Sequence, residues 1–186
     1  MPIDPGTYEL GPGNGTLSVF TERTGAAAKA GHNLHFDVTS WSATVTVADD
    51  PSASAIEVTA DGGSLKVIEG TGGMQSLDDD NKKDIEQTLD DEILRRQPVT
   101  FRSSKVTPTG GGWRAEGELT LLGATRPFAF DVRLGDDGSI GVEAVLKQTL
   151  WGLKPYSTLF GALKVVDEVT IRVDAGLRAD RGLTPL

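Results

Sequence analysis

Cysteine is absent from the 186 residues of this chain, and aromatic residues make up only 6% of it. The lack of cysteine excludes disulfides, thiolate nucleophiles, zinc ribbons and iron–sulfur clusters. Basic residues are also in the minority, with 18 Lys and Arg against 27 Asp and Glu and a net charge of −9. Because an acidic surface repels phosphate backbones and anionic headgroups, we expect no nucleic-acid partner and no stable membrane anchor.

Long apolar runs are missing as well. No stretch approaches the ~18 uninterrupted apolar residues that a transmembrane helix needs. Residues 1–6 have neither a positive n-region nor an apolar h-region, so a cytoplasmic location is expected. The length fits a single domain over residues 1–177, followed by a loose tail over residues 178–186.

The motifs of common enzymes and metal sites are also lacking, including Gly-x-Ser-x-Gly and the Gly-Lys-Ser/Thr phosphate loop. His32 and His35 are the only histidines, and in a strand they face opposite sides, so a structural role is favoured for both. Asp78–Asp80 begins like a calcium loop, but Lys83 and Leu89 stand where an EF-hand needs Gly and Glu. We therefore expect no catalytic residue, no metal site and no cofactor.

The chain is rich in alternation of apolar and polar residues with a period of two, which is typical of half-buried antiparallel strands. Odd positions are apolar or small in residues 113–121, and even positions are apolar in residues 128–134. This parity predicts that Phe130 faces the interior and that Asp131 faces water. Similar runs occur at residues 17–19, 34–38, 41–47, 56–60, 65–68, 140–146 and 169–175.

Two breaks in this alternation are informative. The apolar parity changes between residues 34–38 and 41–47, which predicts a bulge or sharp bend at Thr39–Ser40. Ile85, Leu89 and Ile93 recur at every fourth position, which predicts one amphipathic helix over about residues 80–96. Asp78–Asp80 would cap this helix, Pro98 would end it, and a short helical turn is predicted at residues 157–163. The fold class is all-β, an antiparallel barrel or sandwich with a helical cover.

Small residues at inward positions favour an interior that leaves space for a ligand over one that is filled by side chains. These residues are Ala115, Gly117, Ala144 and Ala175. A filled core is the alternative interpretation of the same pattern.

Several motifs in the C-terminal half resemble those of the YceI-like family of lipocalin-like lipid-binding proteins. Residues 98–106 are similar to the family's Pro-x-x-x-Phe-x-Ser strand, and residues 117–127 to its Gly-x-Leu-Thr-x-x-Gly-x-Thr-x-Pro hairpin. Residues 151–153 and 167–171 resemble its aromatic-Gly-hydrophobic step and its closing strand. The resemblance implies a closed antiparallel β-barrel whose apolar interior holds a long isoprenoid or acyl chain.

The residues and the resemblance together predict a non-catalytic protein that transports or sequesters a long apolar lipid, either isoprenoid or fatty-acid-like. The alternative is a ligand-free barrel that serves as a protein-interaction module, and its exposed strands would permit a homodimer. The candidate ligand-binding residues are Leu17, Val19, Phe36, Leu119, Leu121, Phe128, Phe130, Val142, Leu146 and Ile171.

Overall fold

A computed structural model describes residues 3–177 of the protein, which are folded mainly into antiparallel strands. The strands are β1 Gly6–Leu10, β2 Gly15–Thr21, β3 Arg23–Thr24, β4 Asn33–Val38, β5 Trp41–Val47, β6 Ala55–Asp61, β7 Leu65–Thr71, β8 Pro98–Thr109, β9 Gly112–Leu121, β10 Ala124–Leu134, β11 Ser139–Lys147, β12 Ser157–Thr158, β13 Leu163–Val165 and β14 Glu168–Gly176. Helix α1 spans Asp79–Thr88, and short 3-10 turns lie at Ala28–Ala30, Pro51–Ala53, Gln148–Trp151 and Leu159–Gly161.

Eleven strands form one curled sheet in the order β1-β5-β6-β8-β9-β10-β11-β14-β2-β4-β7, and β12, β13 and β3 form a small second sheet. All pairs in both sheets are antiparallel. Within residues 3–177, β1 and β7 do not pair with each other, so the sheet is a curled half-barrel. The prediction of an all-β antiparallel fold with one helix is confirmed, but the prediction of a closed barrel is wrong.

The alternation along each strand sorts side chains to the two faces of the sheet as predicted. In β9 and β10, Leu119, Leu121 and Val132 are buried, and Phe130 lines the interior. Asp131 points outward and pairs with Arg114, with 3.0 Å between Oδ1 and Nη1. The predicted orientations of Phe130 and Asp131 are therefore confirmed.

The predicted bend at Thr39–Ser40 is confirmed as a corner at which the chain leaves β4 and begins β5. These two strands are consecutive in sequence, yet each pairs with other partners. A second corner at residues 61–64 joins β6 to β7, and the two corners are hydrogen-bonded to each other. The Thr39 N–H donates to Ser64 O at 3.0 Å, and the Asp61 N–H donates to Ser40 O at 2.9 Å. These hydrogen bonds between the two corners connect the two ends of the curled sheet, where a closed barrel would have paired strands.

The small inward residues mostly serve close packing rather than open space. Ala115 is 0% exposed and does not line the interior cavity. A Cβ on Gly117 would lie 2.2 Å from the carbonyl oxygen of Arg102, beside a bulge in β8. Of the four small residues proposed to leave space, Ala144 alone lines the cavity. For the other three the prediction is wrong, because backbone and side chains come close to them.

Helix α1 begins where the acidic run predicts. The Asp78 carboxylate caps it by accepting a hydrogen bond from the Asn81 N–H at 2.8 Å. Asp79 and Asp80 follow in the first turn, where negative charge is favourable. The acidic run is therefore a helix cap, and among residues 3–177 no group of His, Asp and Glu is arranged to hold a metal ion.

The end of the helix differs from the prediction of residues 80–96. After Thr88 the chain makes one π-helical turn over Leu89–Ile93, in which the Leu94 N–H donates to Leu89 O at 2.8 Å. Arg95 and Arg96 have φ of 52° and 54° and cannot continue a right-handed helix. The wider i→i+5 turn suits an apolar stripe that repeats every four residues, since four residues exceed one 3.6-residue turn.

The helical turn predicted at residues 157–163 is shorter than expected. It covers Leu159–Gly161 only, because β12 and β13 on either side of it pair as a hairpin. The predicted tail over residues 178–186 lies outside the described residues.

Candidate functional site

The concave face of the sheet encloses an apolar cavity of about 260 Å³. All ten candidate residues from the sequence line it: Leu17, Val19, Phe36, Leu119, Leu121, Phe128, Phe130, Val142, Leu146 and Ile171. They come from β2, β4, β9, β10, β11 and β14, so strands that are far apart in sequence contribute to one surface. The alternation placed them correctly in space, and their contact with a ligand stays a prediction.

Polar groups on the cavity wall are few, and two of them are bonded within the protein. Gln148 is buried, and its Nε2 donates to Val166 O at 3.0 Å. The Asp61 carboxylate accepts the Gly63 N–H at 2.8 Å, and Thr21 is the remaining lining residue with a hydroxyl or carboxyl. Among the described residues no buried side-chain nitrogen or oxygen lacks a partner. The wall therefore offers apolar contact and shape rather than a set of convergent acid, base or ligand groups.

An aromatic cluster forms part of this wall. The Phe101 and Phe130 ring centroids are 4.9 Å apart, and those of Phe128 and Phe130 are 6.1 Å apart. Trp151 meets Phe128 edge to face at 5.9 Å, and its indole N–H donates to Leu119 O at 2.9 Å. This bond satisfies the buried donor, so the Trp151 ring packs at the cluster without leaving a polar group to the cavity.

Sequence reasoning missed several lining residues, among them Phe101 on β8 and Trp41, Ala43 and Val45 on β5. On β8 the signal is hidden, because the bulge between Ser103 and Lys105 interrupts the alternation. On β5 the signal is present, since the parity change at the corner already places the odd residues of 41–47 on one face.

The helical segment also borders the cavity. Leu89, Ile93 and Leu94 line the cavity beside the 61–64 corner, and a Cβ on Gly62 would lie 3.4 Å from that of Leu94. The apolar stripe predicted for the helix thus faces the site. We call the two corners, at residues 39–40 and 61–64, together with residues 79–94, the seam.

Glu86 fastens helix α1 to the free edge of β7. Its carboxylate accepts the Val67 N–H at 2.9 Å and the Lys66 ammonium at 2.8 Å. An edge strand has unpaired N–H groups, and Glu86 satisfies one of them with a side chain. Burial alone would raise the pKa of the Glu86 carboxyl, but the Lys66 and Val67 hydrogen bonds and the nearby positive charges hold it below its ordinary value.

The two histidines take no part in the cavity. The His32 Nε2 lies 2.6 Å from Gln75 O, and the His35 ring stacks on Phe20 with centroids 4.5 Å apart. The His35 Nε2 lies 3.0 Å from the Asp37 carboxylate on the same strand. These contacts agree with the structural role predicted for both residues.

The chain is similar to one protein family and to several solved structures. A family model described as a YceI-like domain matches residues 8–177, so the likeness noticed in the C-terminal half extends to Tyr8. The crystal structure of Burkholderia cenocepacia BcnA has a TM-score of 0.63 at 17% identity, covering 86% of this chain and 94% of that one. The Campylobacter jejuni YCEI protein has a TM-score of 0.51 at 14% identity, covering 77% and 84%. None of the curated proteins matches the chain.

No helix within the described residues is both long and apolar enough to cross a membrane.

Proposed function

Because the chain belongs to the YceI-like family, we propose that it carries or sequesters a long apolar lipid in its interior without catalysis. The family is known for binding polyisoprenoid or other lipid in a barrel. The observation that carries the proposal is the cavity wall, on which apolar side chains face inward and polar side chains are few, with Gln148 and Asp61 bonded to the protein itself. Ligand binding is the chemistry that such a wall supports.

Burial energetics favour a long ligand. Each methylene removed from water contributes ~0.8 kcal/mol, against an association cost of ~4–15 kcal/mol. A chain of ~5 carbons therefore barely competes with this cost, whereas ~15–20 carbons can bind tightly. Isoprenoid and fatty-acid chains both reach that length, and the wall has no polar constellation that would choose between them.

The size of the cavity sets a condition on this proposal. An apolar cavity of ~150 Å³ holds one benzene molecule. By that scale, about 260 Å³ accommodates a segment of roughly ten carbons. A longer chain would therefore extend out of the cavity or displace part of its wall.

The experiment is organic extraction of the protein purified from its own host, followed by mass spectrometry of the extract. We expect repeated recovery of one class of long-chain lipid. Ala144→Phe, which places a ring in the cavity, should lower the amount of long-chain lipid recovered and favour shorter chains. Val145→Phe is the matched control, because Val145 is the next residue on β11 and points to solvent.

Repeated recovery of empty protein, with no uptake of polyprenyl lipids or fatty acids, would contradict the proposal. It would favour the alternative of a ligand-free protein-interaction module. The cytoplasmic location, the homodimer and the absence of a nucleic-acid partner stay predictions from the sequence.

A further inference from the structure

The hairpin formed by β12 and β13 carries large apolar side chains directly into solvent. At its tip, Phe160 is fully exposed and Leu159 is more than half exposed, and Tyr156 is exposed at its base. Leu159 and Phe160 have φ of 51° and 54°, a left-handed conformation that is uncommon for bulky residues. A strained backbone that holds two apolar side chains in water points to a function for the tip.

Three exposed lysines lie at this end of the molecule. A Cβ on Gly161 would lie 3.9 Å from the Lys164 Nζ, so that ammonium group lies close to the residue that follows Phe160. Lys154 lies at the base of the hairpin, and all three lysines at this end, Lys29 included, are exposed. Lys29 lies near the hairpin, because the residue before its 3-10 turn, Ala27, donates its N–H to Ala162 O at 2.8 Å. Among residues 3–177 these three lysines have no salt-bridge partner.

The charge of this region is opposite to that of the whole molecule. Residues 23–36 and 147–166 meet through the pairing of β3 with β13. Together they hold five Lys and Arg residues and no Asp or Glu, although Glu22, Asp37 and Asp167 directly flank the two ranges. The hairpin therefore presents apolar side chains beside exposed lysines, on a protein whose net charge is −9.

We propose that this docking face, residues 154–164 with Lys29, binds reversibly to an anionic lipid bilayer through Phe160, Leu159 and the lysines. Apolar side chains that enter the headgroup region next to lysines on anionic phosphates are the usual pattern of interfacial binding. An acidic protein surface would satisfy the lysines as well. The bilayer is favoured because Gln148 and Leu153, in the segment leading to the hairpin, line the cavity, and this step rests on the proposed function.

The acidic remainder of the protein does not prevent such docking. At physiological ionic strength the Debye length is ~8 Å, so carboxylates on distant strands are largely screened from the membrane surface. A few lysines and one hairpin tip give weak and reversible binding. The docking face is thus consistent with the expectation that the chain has no stable membrane anchor.

The test is co-sedimentation with vesicles of phosphatidylcholine alone and of an equimolar mixture of phosphatidylcholine and phosphatidylglycerol. We expect binding to the mixed vesicles only, weakened by added salt. Phe160→Ser should lower the partition coefficient at least roughly tenfold, because a phenylalanine side chain loses its burial. Lys164→Gln should lower it roughly fivefold, the loss expected for one near-surface cation.

Two matched variants control for general effects. Met74→Ser removes another highly exposed apolar side chain, and Lys105→Gln removes another exposed lysine, both outside the docking face. We expect wild-type partitioning for both. Absence of binding to the mixed vesicles would overturn the proposal and favour an acidic protein surface as the partner. Equal losses in the control variants would overturn the docking face itself. Lipid recovered by extraction would be unaffected by that failure, so the two proposals can fail separately.

Discussion

The wall and the seam border the same cavity but are held together by different interactions. The wall runs from β8 through β11 to β14 and β2. It is a continuous antiparallel ladder, in which the pairing register with the adjacent strands fixes the position of each residue. The seam depends on individual contacts. Glu86 accepts the Val67 N–H at the β7 edge, and Ser64 in one corner accepts the Ser40 N–H of the other. A ladder distributes stability over many bonds, whereas the seam can be opened by changing single side chains. Single substitutions in each region test this difference.

The largest expected effect is on the wall. Phe130→Asp would place a carboxylate in an apolar cavity that has no Lys, Arg or His among its lining residues. The desolvation cost is several kcal/mol, so we expect loss of folding or of lipid uptake. Chemical denaturation and a lipid-uptake assay measure the two outcomes.

Asp131→Asn is the matched control, one residue along β10 and on the opposite face. It affects one exposed pair with Arg114 and should change the free energy of unfolding by less than ~0.5 kcal/mol. If Phe130→Asp kept the melting temperature and the lipid uptake of the wild type, the register of β10 described above would be wrong.

The next effect concerns the close approach of β9 to β8. Gly117→Ala would bring a methyl group to 2.2 Å from the Arg102 carbonyl oxygen, so the ladder must shift. We expect a loss of ~1–3 kcal/mol in the free energy of unfolding, as for other overpacked sites. Gly110→Ala is the control, because nothing lies within 4 Å of a Cβ at that turn position. A similar loss in both variants would mean that backbone freedom, and not the close contact, determines the effect.

A smaller and more local effect is expected at the seam. Glu86→Ala leaves the Val67 N–H without its acceptor and the Lys66 ammonium without its partner. A loss of ~1–2 kcal/mol is expected, together with faster amide exchange at Val67 and little change in the β9–β10 ladder. Glu86→Gln, whose amide oxygen can still accept the Val67 N–H, should lose less. Equal acceleration of exchange in seam and wall would contradict their separate behaviour.

The smallest effect is the pH dependence of the same contact. Because the folded-state pKa of Glu86 lies below its ordinary value of 4.5, its carboxylate stabilises the folded protein above that pH. This contribution is lost as the pH falls through the lower folded-state value. The Lys66 pKa is raised by its hydrogen bond to Glu86, so the contribution of Lys66 is lost only as the pH rises above its ordinary value of 10.5. The stability difference between wild type and Glu86→Gln should therefore shrink in acid, as urea titrations at several pH values would reveal.

The same contrast explains what the sequence could and could not predict. On the wall, alternation decides the face of each side chain, so the orientations of Phe130 and Val142 follow from parity alone. At the seam, the outcome depends on contacts between residues far apart in sequence, such as Glu86 with Val67, which no local pattern announces. The resemblance implies a closed barrel, but β1 and β7 do not pair among the described residues, and no local pattern in the sequence indicates this. Phe101 does not stand out in the sequence because a bulge interrupts the alternation of β8.

The most direct test of the central claim is the affinity of the protein for a homologous series of fatty acids or isoprenoid alcohols of increasing length, measured by calorimetry. If the chain lies in the apolar cavity, each added methylene should strengthen binding by up to ~0.8 kcal/mol until the cavity is filled, near roughly ten carbons. The gain should then diminish, and Ala144→Phe should shift that point to shorter chains, whereas Val145→Phe should not. An affinity that does not change with chain length, or that Ala144→Phe leaves unaltered, would contradict binding in the cavity.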